Sequence, residues 1–238
     1  MDRLKKLILE NQVSNTHLIT FVLDETSSMM PRKAATISGF NEWMSEMEKF
    51  VGEVLFTLIK FNTDKHELMY KQAVLGETKI SLTPTNYRPA AATPLYDAIG
   101  RAIRETEDIL AKRKDEPSVT FVILTDGEEN SSEEWTIASI KQLITEKEEA
   151  GWTFTYMGVS QDAWQGGFTL RVAAGNIMNV GNSSESMSSA FAAHAVATTQ
   201  HLARGGGQTS SYYSDVTDEN SQLIEEPDEN EESWQQKV

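Results

Sequence analysis

The sequence predicts an α/β fold in which a doubly wound, mostly parallel six-stranded sheet carries helices on both faces, as in Rossmann-type proteins. Two apolar runs, at residues 17–23 and 119–125, lack the polar alternation of a half-buried strand and are typical of strands covered on both sides. Strand patterns alternate with helical patterns through the rest of the chain. This alternation predicts right-handed βαβ crossovers, and therefore parallel strands.

The elements after the first strand follow from spacing and turn residues. Pro31 suits the first turn of a helix, and apolar residues then recur every three or four positions from 37 to 51, which predicts an amphipathic helix. Strands are predicted at 53–61 and 67–74. Their short connection favours a hairpin, with the weaker second strand at the sheet edge.

A proline- and alanine-rich loop at 81–93 leads into the next helix. Thr93 is a candidate cap of this helix, with Pro94 in its first turn and a buried stripe from residue 95 to residue 110. The remaining predictions are a helix around 137–144, a strand at 152–159, a short helix within 160–176, a strand at 177–180 and a long helix at about 187–202.

The 238 residues predict one domain with two flanking segments. The domain is expected at 15–204, after an N-terminal segment at 1–14 and before a glycine-rich, then acidic tail at 205–238. Nine acids and one lysine lie in residues 215–238. Because so polar a segment buries too little apolar surface to offset its ordering entropy, the tail is expected to be disordered, either as a solubilising end or as a docking segment.

Composition excludes several classes of function. The net charge of −15 argues against nonspecific binding to nucleic acid or anionic membranes. The absence of cysteine excludes disulfides, thiolate metal sites and cysteine nucleophiles. The N-terminus is too short and too charged for a secretory signal, and no apolar run approaches the roughly 18 residues of a membrane span. A cytoplasmic protein without nucleic-acid or membrane partners is expected.

Oxygen-bearing side chains follow both buried strands and precede one helix. Each has an ordinary interpretation as a helix cap or turn residue. Because the carboxyl ends of parallel strands share one edge of the sheet, however, most of these oxygens are expected to converge. Carboxylates and hydroxyls without cysteine, histidine, lysine or arginine nearby predict a site for Mg²⁺, with Mn²⁺ or Ca²⁺ as alternatives, rather than for zinc. The candidate metal ligands are Asp24, Thr26, Ser28, Thr93 and Asp126.

These motifs resemble the metal-ion-dependent adhesion site (MIDAS) of von Willebrand factor type A domains. That site is a D-x-S-x-S motif, then a threonine, then an aspartate after the fourth strand. The resemblance covers roughly residues 15–204, and it implies the strand order 3-2-1-4-5-6 with strand three antiparallel. The matching stretches are Asp24-Glu-Thr26-Ser-Ser28, Ala92-Thr93-Pro94-Leu-Tyr-Asp-Ala-Ile and Leu124-Thr-Asp126-Gly127.

The resemblance also implies a role for each residue. The hydroxyls of Thr26, Ser28 and Thr93 would contact the metal, whereas Asp24 and Asp126 would hold it through waters and hydrogen bonds. An ion held by neutral hydroxyls attracts a carboxylate from another protein as its last ligand. Thr26 stands where the pattern has serine; its methyl group stiffens the side chain, but the hydroxyl is kept.

The leading interpretation is therefore a nonenzymatic, metal-dependent adaptor that binds a partner's Asp or Glu. The resemblance implies a small stand-alone bacterial or phage type, for which an AAA-type ATPase is a candidate partner. A fold that has lost its metal is a further possibility. The alternative is a Mg²⁺-dependent phosphatase or hydrolase of the haloacid-dehalogenase type. That enzyme needs a second aspartate where this chain has Thr26, and its catalytic lysine is not evident. Glu128 and Glu129 are expected to be solvated.

Overall fold

A computed structural model describes residues 16–127, 129–214 and 216, with only the backbone given for 161–163. The predicted segment 1–14, Glu128 and the acidic tail from 217 onward lie outside the described residues. The six strands are β1 (Thr16–Asp24), β2 (Glu53–Asn62), β3 (Lys65–Val74), β4 (Ser118–Thr125), β5 (Thr153–Val159) and β6 (Ile177–Val180).

The sheet has the order β3-β2-β1-β4-β5-β6. Strand β3 is antiparallel to β2, and every other neighbouring pair is parallel. The predicted fold class and strand order are therefore confirmed, including the hairpin and the antiparallel edge strand. All nine residues of β1 are buried, which explains why its sequence shows no polar alternation.

Helices cover both faces of this sheet. On one face, two helices pack against alternate residues of β1, such as Phe21 and Leu23, whereas Val22 belongs to the core on the other face. No helix in the described ranges is long and apolar enough to cross a membrane. The helices are α1 (Lys33–Met47), α2 (Leu95–Leu110), α3 (Ile137–Glu149), α4 (Gln161–Thr169) and α5 (Ser184–Ala203), with 3-10 turns at Ser27–Arg32 and Ala174–Asn176.

The close approach of α1 and α5 depends on Gly39. A Cβ atom at this position would lie 2.3 Å from a ring carbon of Phe191 on α5. The aromatic core begins next to this contact, where the ring centroids of Phe21 and Trp43 are 5.1 Å apart. Helix α1 is thereby held tightly against β1, the strand that carries the first candidate metal ligands.

Two helix boundaries differ from the predictions. Helix α1 ends at Met47, and Val51, which was expected in its buried stripe, is 96% exposed because the chain has already turned toward β2. The N-cap residue of α2 is Pro94, and no side chain caps the helix there, so the candidate cap Thr93 does not have this role. The Thr93 hydroxyl is therefore not used by the helix.

The packed structure continues past residue 204, where the sequence predicts the end of the domain. Tyr212 and Tyr213 are buried, although a disordered segment is expected there. The Tyr213 hydroxyl lies 2.9 Å from His194 Nδ1, and the Tyr212 hydroxyl donates to Thr198 Oγ1 at 2.8 Å. The chain after α5 thus packs back onto that helix, and the prediction of disorder is wrong for residues 205–214.

Candidate metal centre

The ends of β1 and β4 bring the predicted ligands to one edge of the sheet. The two strands are adjacent and parallel, with Leu23 paired to Leu124, so their following loops begin side by side. The 3-10 turn then brings Ser28 toward β4, where its hydroxyl donates to Asp126 Oδ1 at 2.6 Å. The hydroxyl oxygens of Thr26 and Ser28 are 3.0 Å apart. The convergence expected from the topology is present.

Asp24 is fully buried and held in one orientation. Its Oδ1 accepts a hydrogen bond from the Thr26 backbone N–H at 2.7 Å, and its Oδ2 accepts one from the Thr125 hydroxyl at 2.6 Å. Burial raises the pKa of Asp24 to about 6, and the charge of Asp126 acts in the same direction. The ionised carboxylate is therefore in an environment that favours an added positive charge.

Thr93 lies beside Gly127, as Ser28 does. Its side chain is buried, and its backbone is fixed by two bonds to Asn130: the Thr93 N–H donates to Asn130 Oδ1 at 2.9 Å, and the Asn130 N–H donates to the Thr93 carbonyl at 3.1 Å. A Cβ atom at Gly127 would lie 3.2 Å from Thr93 Oγ1 and 3.5 Å from Ser28 Oγ. Both hydroxyls therefore lie close to Gly127, where a glycine leaves them room, and Thr93 is near the other predicted residues.

The positively charged side chain of Arg32 lies at this centre, although the sequence predicts a site without arginine. Arg32 Nη1 donates to Asp126 Oδ2 at 2.6 Å and to the Ser28 carbonyl at 3.2 Å, while Nη2 donates to Asn182 Oδ1 at 2.5 Å. The expectation of a site without arginine is wrong. Burial raises the pKa of Asp126, and the Ser28 hydrogen bond and the Arg32 charge oppose that shift. The sequence contains one signal for this contact. Arg32 stands at the N-terminus of α1, where a positive charge interacts unfavourably with the helix dipole and is therefore expected to pair with an acidic group.

Glu25 fixes the position of the loop that carries Thr93, a role that sequence reasoning missed. Its Oε1 accepts a hydrogen bond from the Arg88 backbone N–H, and its Oε2 lies 3.3 Å from Lys60 Nζ. Both charged side chains are buried, and Lys60 also donates to the Asn86 carbonyl. The signal for this pair was a single lysine near the end of an otherwise apolar strand, since buried lysines need a partner.

Glu129 is only partly exposed, and its carboxylate is held by hydrogen bonds within the protein, whereas a solvated side chain was expected. Its Oε1 accepts hydrogen bonds from the backbone N–H groups of Ser131 and Ser132 at 2.8 and 2.6 Å. Its Oε2 accepts one from the Tyr96 N–H, in the first turn of α2, at 2.9 Å. A carboxylate at a helix N-terminus is stabilised by unpaired N–H groups and by the helix dipole. Glu129 thus anchors the loop after Asp126 to the helix that follows Thr93.

The arrangement of oxygens fits a small, hard cation. Two oxygen ligands at right angles, each about 2.1 Å from Mg²⁺, are about 3.0 Å apart, and the Thr26 and Ser28 hydroxyl oxygens have this separation of 3.0 Å. Within 16–127, 129–214 and 216, no group of three or more Asp, Glu, His or Cys side chains is arranged to hold a metal. A metal at this edge would therefore depend on hydroxyl oxygens, and Ser28 is exposed to solvent.

Comparison of the sequence with protein-family models gives no match, and comparison with curated proteins gives none either. Solved structures do share the fold. Proximal thread matrix protein 1 from the mussel byssus, in a structure whose MIDAS motif is occupied by zinc, aligns with a TM-score of 0.55 and 14% identity over 77% of this chain and 46% of its own.

Two bacterial structures are also similar. The pilus adhesin SpaC from Lactobacillus rhamnosus GG, in an open conformation, aligns with a TM-score of 0.57 and 12% identity over 78% of this chain and 30% of its own. A von Willebrand factor type A protein from Catenulispora acidiphila aligns with a TM-score of 0.50 and 13% identity over 80% of this chain and 43% of its own. This chain spans less than half the length of each of the three proteins. The likeness shows that the protein has a von Willebrand factor type A-like α/β fold.

Proposed function

We propose that this protein is a divalent-cation-dependent protein-binding module, with Mg²⁺ as the resident ion and a partner's Asp or Glu as its last ligand. One observation carries the proposal: two buried carboxylates and three hydroxyls converge at the edge of the sheet where open α/β proteins bind ligands. The residues are Asp24, Thr26, Ser28, Thr93 and Asp126.

In the proposed site the hydroxyls contact the ion and the carboxylates orient them. Asp126 already accepts a hydrogen bond from the Ser28 hydroxyl, so the lone pairs of the hydroxyl oxygen point away from the carboxylate. Asp24 stiffens the same loop through the Thr26 N–H. When bound, the ion supplies a positive charge that neutral hydroxyl ligands do not cancel, and an external carboxylate is the natural complement to it.

The choice of ion follows from the donor atoms. Zinc at the MIDAS of proximal thread matrix protein 1 supports a divalent cation at this edge of the same fold. The candidate donors of this chain are all oxygens, which suit Mg²⁺, Mn²⁺ or Ca²⁺ better than zinc. The resemblance to small bacterial and phage type A proteins suggests an AAA-type ATPase, acting in the cytoplasm, as the partner that donates the carboxylate.

The contacts of Asp24 favour a binding role over phosphoryl transfer. Asp24 is fully buried, and its two oxygens are held by the Thr26 N–H and the Thr125 hydroxyl, so a substrate phosphoryl group has no direct access to either oxygen. A haloacid-dehalogenase-type enzyme would need a general acid where Thr26 stands. Lys60 lies between the two strands in sequence, but it pairs with Glu25 instead of Asp24.

Thermal unfolding with Mg²⁺ or Mn²⁺ tests the proposal. A ligand at 100 times its dissociation constant stabilises the folded state by about 2.7 kcal/mol. The wild type should show this stabilisation, and Thr26→Val should lose it because only the hydroxyl oxygen is exchanged for a methyl group. Thr145→Val, at an exposed position of α3, is the matched control and should respond like the wild type. Equal stabilisation of Thr26→Val and the wild type would refute this site.

A further inference from the structure

Arg32 places a permanent positive charge at the candidate metal centre. Its guanidinium bridges Asp126 and Asn182, with N–O distances of 2.6 and 2.5 Å. The Asp126 side chain is fully buried, and that of Arg32 is 20% exposed, so water screens this pair only weakly. Because a guanidinium stays protonated at any physiological pH, the charge is present whether or not an ion is bound.

We propose that Arg32 makes occupation of the metal centre depend on a carboxylate from the partner. The arginine neutralises Asp126 while the centre holds no ion, and it opposes a divalent cation that enters alone. It becomes compatible with the cation once a partner carboxylate adds negative charge. This inference rests on the proposed function and extends it, because it names the residue that couples the ion to the partner.

The charges around the centre support this coupling. Asp24 and Asp126 contribute two negative charges, and Arg32 cancels one of them. A divalent cation would therefore leave the centre positive, and one further carboxylate would restore neutrality. Without Arg32, the cation alone would balance the two aspartates. Charge imbalance is costly in a partly buried site, so the arginine shifts the favoured state from ion alone to ion plus carboxylate.

The geometry allows Arg32 to remain in place when the ion enters. Arg32 bonds to Oδ2 of Asp126, whereas Ser28 bonds to Oδ1, so the two oxygens of the carboxylate serve different partners. The bond to Asn182 ties the guanidinium to the loop before α5 and opposes its release into solvent. The Arg32 side chain is 20% exposed, so an incoming carboxylate can approach the accessible part of the guanidinium.

Coupling of this kind is reciprocal. If a carboxylate raises the affinity for the ion by some factor, the ion raises the affinity for the carboxylate by the same factor. The free protein would then hold its ion weakly, and ion and partner would bind together. The partner class that fits is a protein whose exposed Asp or Glu can approach both the ion and Arg32.

Titration with Mn²⁺, followed by the electron paramagnetic resonance signal of the free ion, tests the inference. The experiment compares potassium chloride with potassium acetate at equal ionic strength, with acetate as the minimal carboxylate. In chloride, Arg32→Gln should bind Mn²⁺ about tenfold tighter than the wild type. Arg32→Lys should resemble the wild type because it keeps the charge. Acetate should tighten Mn²⁺ binding by the wild type more than by Arg32→Gln.

A matched control separates the local effect from overall charge. Arg101→Gln removes the same unit of charge from an exposed pair with Glu134 and should leave Mn²⁺ affinity unchanged. Equal affinities of the wild type and Arg32→Gln in chloride would overturn the inference while leaving the metal site intact. An acetate effect absent from the wild type would overturn it without any substitution. Failure of every protein to bind Mn²⁺ in either salt would overturn the proposed function itself, and the inference with it.

Discussion

Replacing Asp24 by asparagine should make the metal-free protein more stable near neutral pH, although it removes a central residue of the proposed site. Asp24 is completely buried, and burial raises its pKa from 3.8 to about 6. The folded protein therefore holds the ionised carboxylate less favourably than the unfolded chain does. Asparagine keeps the shape of the side chain and can still accept the Thr26 N–H, while the Thr125 hydroxyl can turn to accept from its amide.

The expected gain follows from the pKa difference. A change from 3.8 to about 6 corresponds to about 3 kcal/mol of destabilisation once the carboxylate is ionised in both states. The hydrogen bonds from Thr26 and Thr125 to the ionised carboxylate oppose the shift and are already included in it. A gain of about 3 kcal/mol corresponds to a rise in Tm of about 6–12 °C for a domain of this size.

The pH dependence of the difference in stability between the two proteins identifies the titration of Asp24 as its cause. Well below pH 3.8 the carboxyl is protonated in both states, and the two proteins should have similar stability. As pH rises from 3.8 to about 6, the unfolded chain ionises while the folded protein keeps its proton, so the wild type progressively loses stability that the variant retains, and above about pH 6 the difference is constant. Urea unfolding in EDTA at pH 4.5, 5.5 and 7.5 measures the difference. The control is Asp108→Asn, at an exposed position of α2.

A contrary result would be clear. If Asp24→Asn is less stable than both the wild type and the control in EDTA at pH 7.5, the carboxylate is already compensated in the metal-free fold. The argument that Asp24 lacks a compensating positive charge would then fail.

Three further predictions concern the surroundings of the centre. Glu25→Gln should lower the free energy of unfolding by about 2 kcal/mol, because the buried Lys60 would keep only the half-exposed carboxylate of Glu67, and Lys60→Met in the same background should restore part of the loss in urea titrations. Gly39→Ala should cost about 1–3 kcal/mol because its Cβ would meet the ring of Phe191, and calorimetry would detect the lower Tm. Burial lowers the pKa of His194 to about 3, so between pH 6.5 and 3 the unfolded chain binds a proton that the folded protein does not, and the free energy of unfolding should fall as pH falls. His194→Gln should reduce this fall in urea unfolding. An unchanged slope of the unfolding free energy against pH would contradict the prediction.

The sheet can be predicted from the sequence because the pattern that indicates a buried strand lies within the strand itself. The runs that became β1 and β4 are largely apolar and show no regular polar alternation, a pattern typical of strands buried on both faces. The convergence of Asp24 and Asp126 follows from topology, since each directly follows one of two adjacent parallel strands. Thr93 needed the family resemblance, because it follows a loop and its position relative to the sheet cannot be read from spacing.

The missed features depend on long side chains and on distant contacts. Arg32 reaches Asp126 across 94 positions of sequence, and Lys60 reaches Glu25 across 35. Sequence spacing does not give the direction of such side chains. The segment around Tyr212 was misjudged for a related reason: its composition is polar and glycine-rich, and its two tyrosines become buried only because α5 offers them a surface.

Anomalous diffraction from crystals soaked in Mn²⁺ and acetate at neutral pH tests the central claim most directly. The account predicts one strong manganese peak within about 2.5 Å of the hydroxyl oxygens of Thr26 and Ser28, with Arg32 still near Asp126 and an acetate oxygen on the ion. A manganese peak elsewhere on the protein, with none at this edge of the sheet, would contradict the account.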